Sequence, residues 1–203
     1  MSLLHFSKIN LRFGEKEIFK NFSLSINEGE KVLIRGKSGN GKSTLLRILL
    51  GFSCFESGEY YVRDKLVAPA DYSEIRKLFA YVNQDVTLRP GNVRQVLGEV
   101  AKFSGNNYDG SFDTQLAEWF EFDLGLLDKD TQELSGGERQ RLGIILAIML
   151  DRPVFLLDEV TSALDENLKR KVAAYFSTSD KSVLSISHDR EWMGSNKFRM
   201  VEW

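Results

Sequence analysis

Two stretches of this sequence combine residue types that suit phosphate chemistry. The first, GKSGNGKS at Gly36–Ser43, fits the spacing G-x-x-x-x-G-K-[ST] and lies between an apolar run and a helical pattern. Its glycines let backbone N–H groups curl around phosphate oxygens, and the helix N-terminus that follows adds a favourable dipole. On this reading Gly36, Lys37, Ser38, Gly39, Asn40, Gly41, Lys42, Ser43 and Thr44 form a cradle. Lys42 would reach the β- and γ-phosphates of a nucleotide, and Ser43 would offer its hydroxyl to Mg²⁺.

The second stretch is VFLLDE, Val154–Glu159. Its continuous apolar run reads as a buried parallel strand, and Asp158 emerges at the carboxyl end, where ligands gather in such sheets. Asp158 is therefore the expected Mg²⁺ partner, acting through metal-bound water because Mg²⁺ dehydrates reluctantly. Glu159 is expected to polarise a water for attack on the γ-phosphate. Adjacent acids after a strand also fit a helix N-terminal charge pair. The phosphate loop elsewhere in the chain favours the catalytic reading.

A third stretch, LSGGERQR at Leu134–Arg141, opens a helical pattern. Ser135 and Glu138 fit a capping box. A cap alone does not require Gly136 and Gly137, which cost backbone entropy without a packing gain. Bare backbone beside a serine hydroxyl at a helix N-terminus is suited to a phosphate.

Positioning these stretches takes an α/β chain. LLHFSKINLRF and KEIFKNFSLSI alternate as half-buried antiparallel strands, and KVLIRG is a short apolar strand entering the glycine-rich loop. STLLRILLG reads as a helix ended by Gly51. GEYYVRDKLV reads as a strand pair turning near Asp64, and LFAYVNQ as a further buried strand. Residues 87–134 have helix-period spacing in GNVRQVLGEVAKF and FDTQLAEWFEF, separated by the polar loop SGNNYDGS. ERQRLGIILAIML and ENLKRKVAAYF are helical, SVLSISH is a strand, and KFRMVEW is expected to be an edge strand.

The composition is that of an ordinary globular protein: 203 residues, 42% hydrophobic and 28% charged. A formal charge of −2 gives no electrostatic reason to expect a nucleic acid partner. Cys54 stands alone, which excludes an intrachain disulfide, suits a reducing compartment and suggests a small buried hydrophobe. MSLLHFSKIN lacks the pattern of a signal peptide, and LGIILAIML falls far short of the roughly 20 apolar residues a bilayer span requires. The chain is expected to work at a membrane only through a partner.

With the phosphate loop, LSGGERQR and VFLLDE in the same order and approximate spacing, the chain resembles the ATPase subunit of an ABC (ATP-binding cassette) transporter along essentially its whole length. The resemblance implies a P-loop NTPase of α/β class. It would have a mostly parallel central sheet, an N-terminal antiparallel β subdomain and an inserted α-helical subdomain at 87–134, all in one domain, 1–203. It implies ATP and Mg²⁺ as ligands and a homodimer, or paired cassette, closing head to tail around ATP. Ser135, Gly136 and Gly137 would then meet the γ-phosphate of the opposite chain. Phe13 matches the aromatic that stacks on adenine, where tyrosine is commoner. Gln84 matches the glutamine that touches Mg²⁺ and the attacking water. Asp165, in TSALD, matches the position through which the two chains sense each other, and His188, in SISHD, matches the histidine that contacts the γ-phosphate. His5 is read as a surface or packing residue.

The resemblance further implies an integral membrane permease as partner and a cytoplasmic protein held peripherally at the cytoplasmic face of the cell membrane. The chain ends soon after its last expected strand, so no added regulatory domain is expected. QDVTLRPGNVRQVL after Gln84 resembles the loop of exporter-type cassettes, with Leu88 and Val93 expected on the permease-docking surface. LLDEVTSALDENLKRKV resembles the compact ATPases paired with iron-export or metal-resistance permeases. A soluble ABC ATPase acting in cofactor assembly or another non-transport role is the alternative. A DNA-handling cassette would carry coiled-coil heptads or cysteine clusters, and the chain has neither. A GTPase would carry NKxD, whereas the nearest string is NKFR at Asn196–Arg199.

Overall fold

The computed structural model describes residues 2–37, 39–104, 114–194 and 196–203. Ser38, the polar loop and the start of the second inserted helix lie outside the described residues. In chain order the elements begin with β1 (Ser2–Phe13), β2 (Lys16–Asn27), β3 (Lys31–Arg35) and α1 (Lys42–Leu49). Next come β4 (Ser57–Val62), β5 (Lys65–Leu66), α2 (Tyr72–Ile75), β6 (Phe79–Val82) and α3 (Val93–Ser104). After α4 (Thr114–Trp119) and α5 (Gly136–Met149) follow β7 (Val154–Asp158), α6 (Glu166–Thr178), β8 (Ser182–Ile186), α7 (Arg190–Met193) and β9 (Phe198–Glu202).

Two sheets result. An antiparallel one has the order β2-β1-β4-β5, and a parallel one has the order β6-β7-β8-β3-β9, with β9 at its edge as expected. All five residues of β7 and of β8 are buried, the mark of parallel strands covered on both faces. Alternation divides β7 between two cores. Val154 and Leu156 face a cluster shared with the antiparallel sheet and α1. Phe155 and Leu157 face one shared with α3, α5 and α6. Replacing Leu156 with alanine would open a cavity costing about 2–5 kcal/mol.

Register is what gathers the site. Ile34 pairs with Ile186, and Ile186 pairs with Asp158, so β3, β8 and β7 end at one level. The phosphate loop, the segment carrying His188 and the Asp158–Glu159 pair therefore leave the sheet from one edge, at the carboxyl ends where ligands bind in such folds.

Two expectations fail on burial. Cys54 is exposed, because it lies in the loop beyond α1 and not on a packed face. Val93 is fully buried at the start of α3, among the residues of the second core, and so offers no docking surface.

Candidate functional site

The phosphate loop takes its shape from its neighbours. Gly41 adopts φ +91°, a left-handed conformation that L side chains rarely enter, and a Cβ there would collide with Ile18 of β2. Lys42 begins α1 and is only 7% exposed. Its Nζ donates to the carbonyls of Gly36 at 2.6 Å and Lys37 at 3.0 Å, which holds the ammonium at the loop. From β2, Lys16 Nζ donates to the Gly39 carbonyl at 2.8 Å.

A cleft of about 390 Å³ opens over this loop. It gathers Phe13, Gly39, Gly41, Lys42, Ser43, Thr44, Gln84, Asp158 and Glu159 of the expected residues, joined by Lys16, Ile18 and Ile186. Phe13 is 55% exposed at the end of β1 and offers a free ring face. Gln84 is exposed just beyond β6. Gly36, Lys37 and Asn40 belong to the loop without lining the cleft.

The two carboxylates differ in setting. Asp158 is 6% exposed; burial pushes its carboxyl above the usual range, while the Ser43 hydroxyl and the Lys42 charge pull it back. A hydroxyl hydrogen-bonded to a carboxylate is an all-oxygen donor pair of the kind Mg²⁺ takes, leaving further positions for water and phosphate. Among the described residues no cluster of three or more His, Cys, Asp or Glu could hold a metal alone. Any Mg²⁺ here would take the rest of its shell from water or from a bound ligand.

Glu159 leaves β7 with φ +50°, rare for a residue other than glycine and a form of strain that collects at working sites. Its backbone N–H donates to the Ile186 carbonyl at 2.9 Å, which fixes the turn against β8. Burial raises its carboxyl too, opposed by His188 and Lys42. A raised carboxylate is a better proton acceptor near neutral pH. His188 Nε2 lies 3.4 Å from Glu159 Oε1, so His188 stands at the site's margin through Glu159.

Sequence reading missed the brace behind these groups. Thr161 is fully buried and donates to Asp189 at 2.6 Å, while Trp192 Nε1 donates to the Thr161 hydroxyl at 3.2 Å. Lys169 Nζ closes on the other Asp189 oxygen at 3.0 Å. The brace ties the segment after Glu159 to the segment after His188. Only Asp189, adjacent to His188 in SISHD, offered a local signal.

Ser135, Gly136, Gly137 and Asp165 are absent from the cleft. Ser135 caps α5, accepting from the Glu138 N–H at 3.3 Å while its own N–H donates to the Glu138 carboxylate at 2.7 Å. Asp165 caps α6, accepting from the Leu168 N–H at 2.9 Å. Ser135 and Gly136 are exposed, and a Cβ on Gly136 would meet no other atom within 4 Å.

Comparisons with known proteins bear on the family and the fold. Residues 19–162 match the ABC transporter family. The chain is 32% identical over 193 residues to the probable iron export ATP-binding protein FetA of Escherichia coli (strain K12), covering 93% of this chain and 86% of that protein. It is 32% identical over 199 residues to the spermidine/putrescine import ATP-binding protein PotA of Spiroplasma citri, covering 94% of this chain and 55% of that one. The chain thus spans about half the length of that relative. Among solved structures, a dimeric post-hydrolysis state of the ATP-binding cassette MJ0796 bound to ADP and Pi superposes with a TM-score of 0.77 at 26% identity. That match covers 92% of this chain and 88% of that chain.

Proposed function

The chain belongs to the ABC transporter family, and we propose that it is the motor of a transporter, closing with a second cassette around ATP to drive a membrane permease. It is an ATPase of the ABC type. The observation that carries the reading is the division of the expected residues. One cleft gathers Lys42, Ser43, Gln84, Asp158 and Glu159, while Ser135 and Gly136 lie exposed outside it. Residues that suit a phosphate but do not reach their own chain's cleft suit a neighbour's.

In this mechanism Phe13 stacks on adenine and the loop N–H groups hold the phosphates. Lys42 neutralises phosphate charge, while Glu159 accepts the proton of the attacking water and His188 steadies Glu159. Mg²⁺, held by Ser43 and Asp158 with Gln84 beside them, would supply charge neutralisation at the phosphate oxygens. The partner's Ser135 hydroxyl and glycine backbone complete the γ-phosphate site, and Asp165 lies on the segment that faces the partner.

We take the unit to be one domain, with 87–134 as a helical insertion. No described helix is long and apolar enough to cross a membrane. Work at the cytoplasmic face through a permease is the reading that membership of the family supports. A groove of about 200 Å³ lined by Val86, Thr87, Leu88, Gln132 and Arg139 supports docking of a permease helix there. Export is the direction we propose, supported by the loop after Gln84 and by likeness to FetA over most of its length. PotA, an importer, is equally identical, so transport into or out of vesicles is the deciding measurement.

The test of the shared site is Ser135→Arg. It is expected to bind ATP as the unaltered chain does and to lose hydrolysis. Mixing it with Lys42→Ala, itself inactive, should restore part of the activity by forming one intact composite site. Loss of ATP binding by the Ser135→Arg monomer would assign the serine to its own cleft and overturn the two-chain reading.

A further inference from the structure

Trp203 lies at the end of the strand farthest in sequence from the phosphate loop, yet it touches the loop at both ends. Its indole Nε1 donates to the Asn40 carbonyl at 2.6 Å, and its backbone N–H donates to the Arg35 carbonyl at 2.7 Å. A Cβ on Gly36 would lie 2.6 Å from the Trp203 Cβ, so the two backbones approach as closely as glycine allows. The indole is seated against Phe19, edge-on at 5.3 Å between ring centroids, and against Phe22 at 4.8 Å. Those rings fix its direction.

In a trans peptide the C=O and the following N–H point in opposite directions, and the described chain has no cis bonds. A carbonyl of Asn40 drawn outward to the indole therefore turns the Gly41 N–H the other way, toward the cleft that Gly41 lines. Lys16, which lines the cleft, holds the preceding carbonyl, that of Gly39. Trp203 does not line it.

We propose that Trp203 is a positioning residue for nucleotide binding: its indole N–H holds the Asn40 carbonyl outward and so presents the Gly41 N–H to the phosphates. This rests on the reading of the cleft as an ATP site. It separates loop geometry from chemistry, because Trp203 reaches neither Glu159 nor Asp158.

Trp203→Phe keeps a ring against Phe19 and Phe22 and removes only the donor. The expected result is a rise of about three- to ten-fold in Kd and KM for Mg-ATP, the worth of one neutral hydrogen bond, with kcat at saturation unchanged and the thermal midpoint lowered by no more than about 2–4 °C. Unchanged Kd and KM would overturn the proposal, as would a fall in kcat alone. The unaltered protein carries a second readout if the variant does not fold. With its tryptophan ring nitrogens labelled, saturation with Mg-ATP should move the Trp203 indole resonance, and a resonance that stays in place would overturn the proposal. Failure of the unaltered chain to bind Mg-ATP at all would instead strike the ATP-site reading beneath it.

Discussion

The phosphate loop and the stretch Ser135–Gly137 are both glycine-rich entries to a helix, yet the chain justifies them differently. Around Gly36 and Gly41 the molecule itself forbids a side chain, through Trp203, Ile18 and a left-handed φ. Around Gly136 it forbids nothing. Open space at Gly136 leaves room for a group from outside, as the proposed two-chain site requires. On the proposed reading, one chain would hold two unequal halves of a site: one built against its own β-sheets, the other on a capped helix.

The largest effect should come from closing the halves without letting them fire. Glu159→Gln keeps shape but removes the proton acceptor, so hydrolysis should fall by at least about 100-fold while ATP binding persists. The idle pair should then accumulate as a dimer with ATP, seen as a shift in size-exclusion chromatography. Near-normal turnover would remove Glu159 from the mechanism, and the absence of any ATP-dependent dimer would break the idea that exposed Gly136 awaits a partner.

Alanine at the two glycine sites tests the contrast directly. Gly41→Ala forces a left-handed alanine against Ile18 and should cost about 1–2 kcal/mol of stability in denaturant unfolding. Gly136→Ala should leave stability unchanged or slightly raised, since alanine favours helices and meets open space. It should still depress ATP-dependent dimerisation. Equal destabilisation by both would erase the distinction.

The smallest effect concerns the cap that holds Ser135 in position. Hydrogen bonding from Ser135 holds the Glu138 carboxyl below the usual range. A depressed carboxylate stabilises the fold above its unfolded-state pKa and loses that contribution as pH falls through the folded value. The unaltered chain should exceed Glu138→Ala by about 1 kcal/mol or less at neutral pH. The gap should close as the pH falls below the ordinary carboxylate range. A gap that persists in acid would mean the cap does not depend on charge.

Much of this was legible locally. VFLLD carries the unbroken apolar run of a doubly covered strand and is one, and KVLIR and SVLSI form strands as expected. The capping box at Ser135 follows from residues three apart and forms as expected. Burial was harder to read. Cys54 was expected inside and lies outside, because solvent access in a loop depends on what else crosses it. Val93 was expected at the surface, yet it turns inward because α3 packs on the second core.

What the sequence alone determined is therefore the set of candidate groups that share one cleft: Lys42 and Ser43 after a glycine loop, Asp158 and Glu159 after a buried strand. Their spacing is short-range, and local backbone geometry enforces it. Tertiary structure decided how those groups are held. The left-handed turn at Glu159 is fixed by the Ile186 carbonyl. The Thr161–Asp189 bond spans 28 positions, and Trp203 reaches Asn40 across 163. Contacts at such separations arise from strand order and register, where β9 pairs beside β3, and no local pattern encodes them.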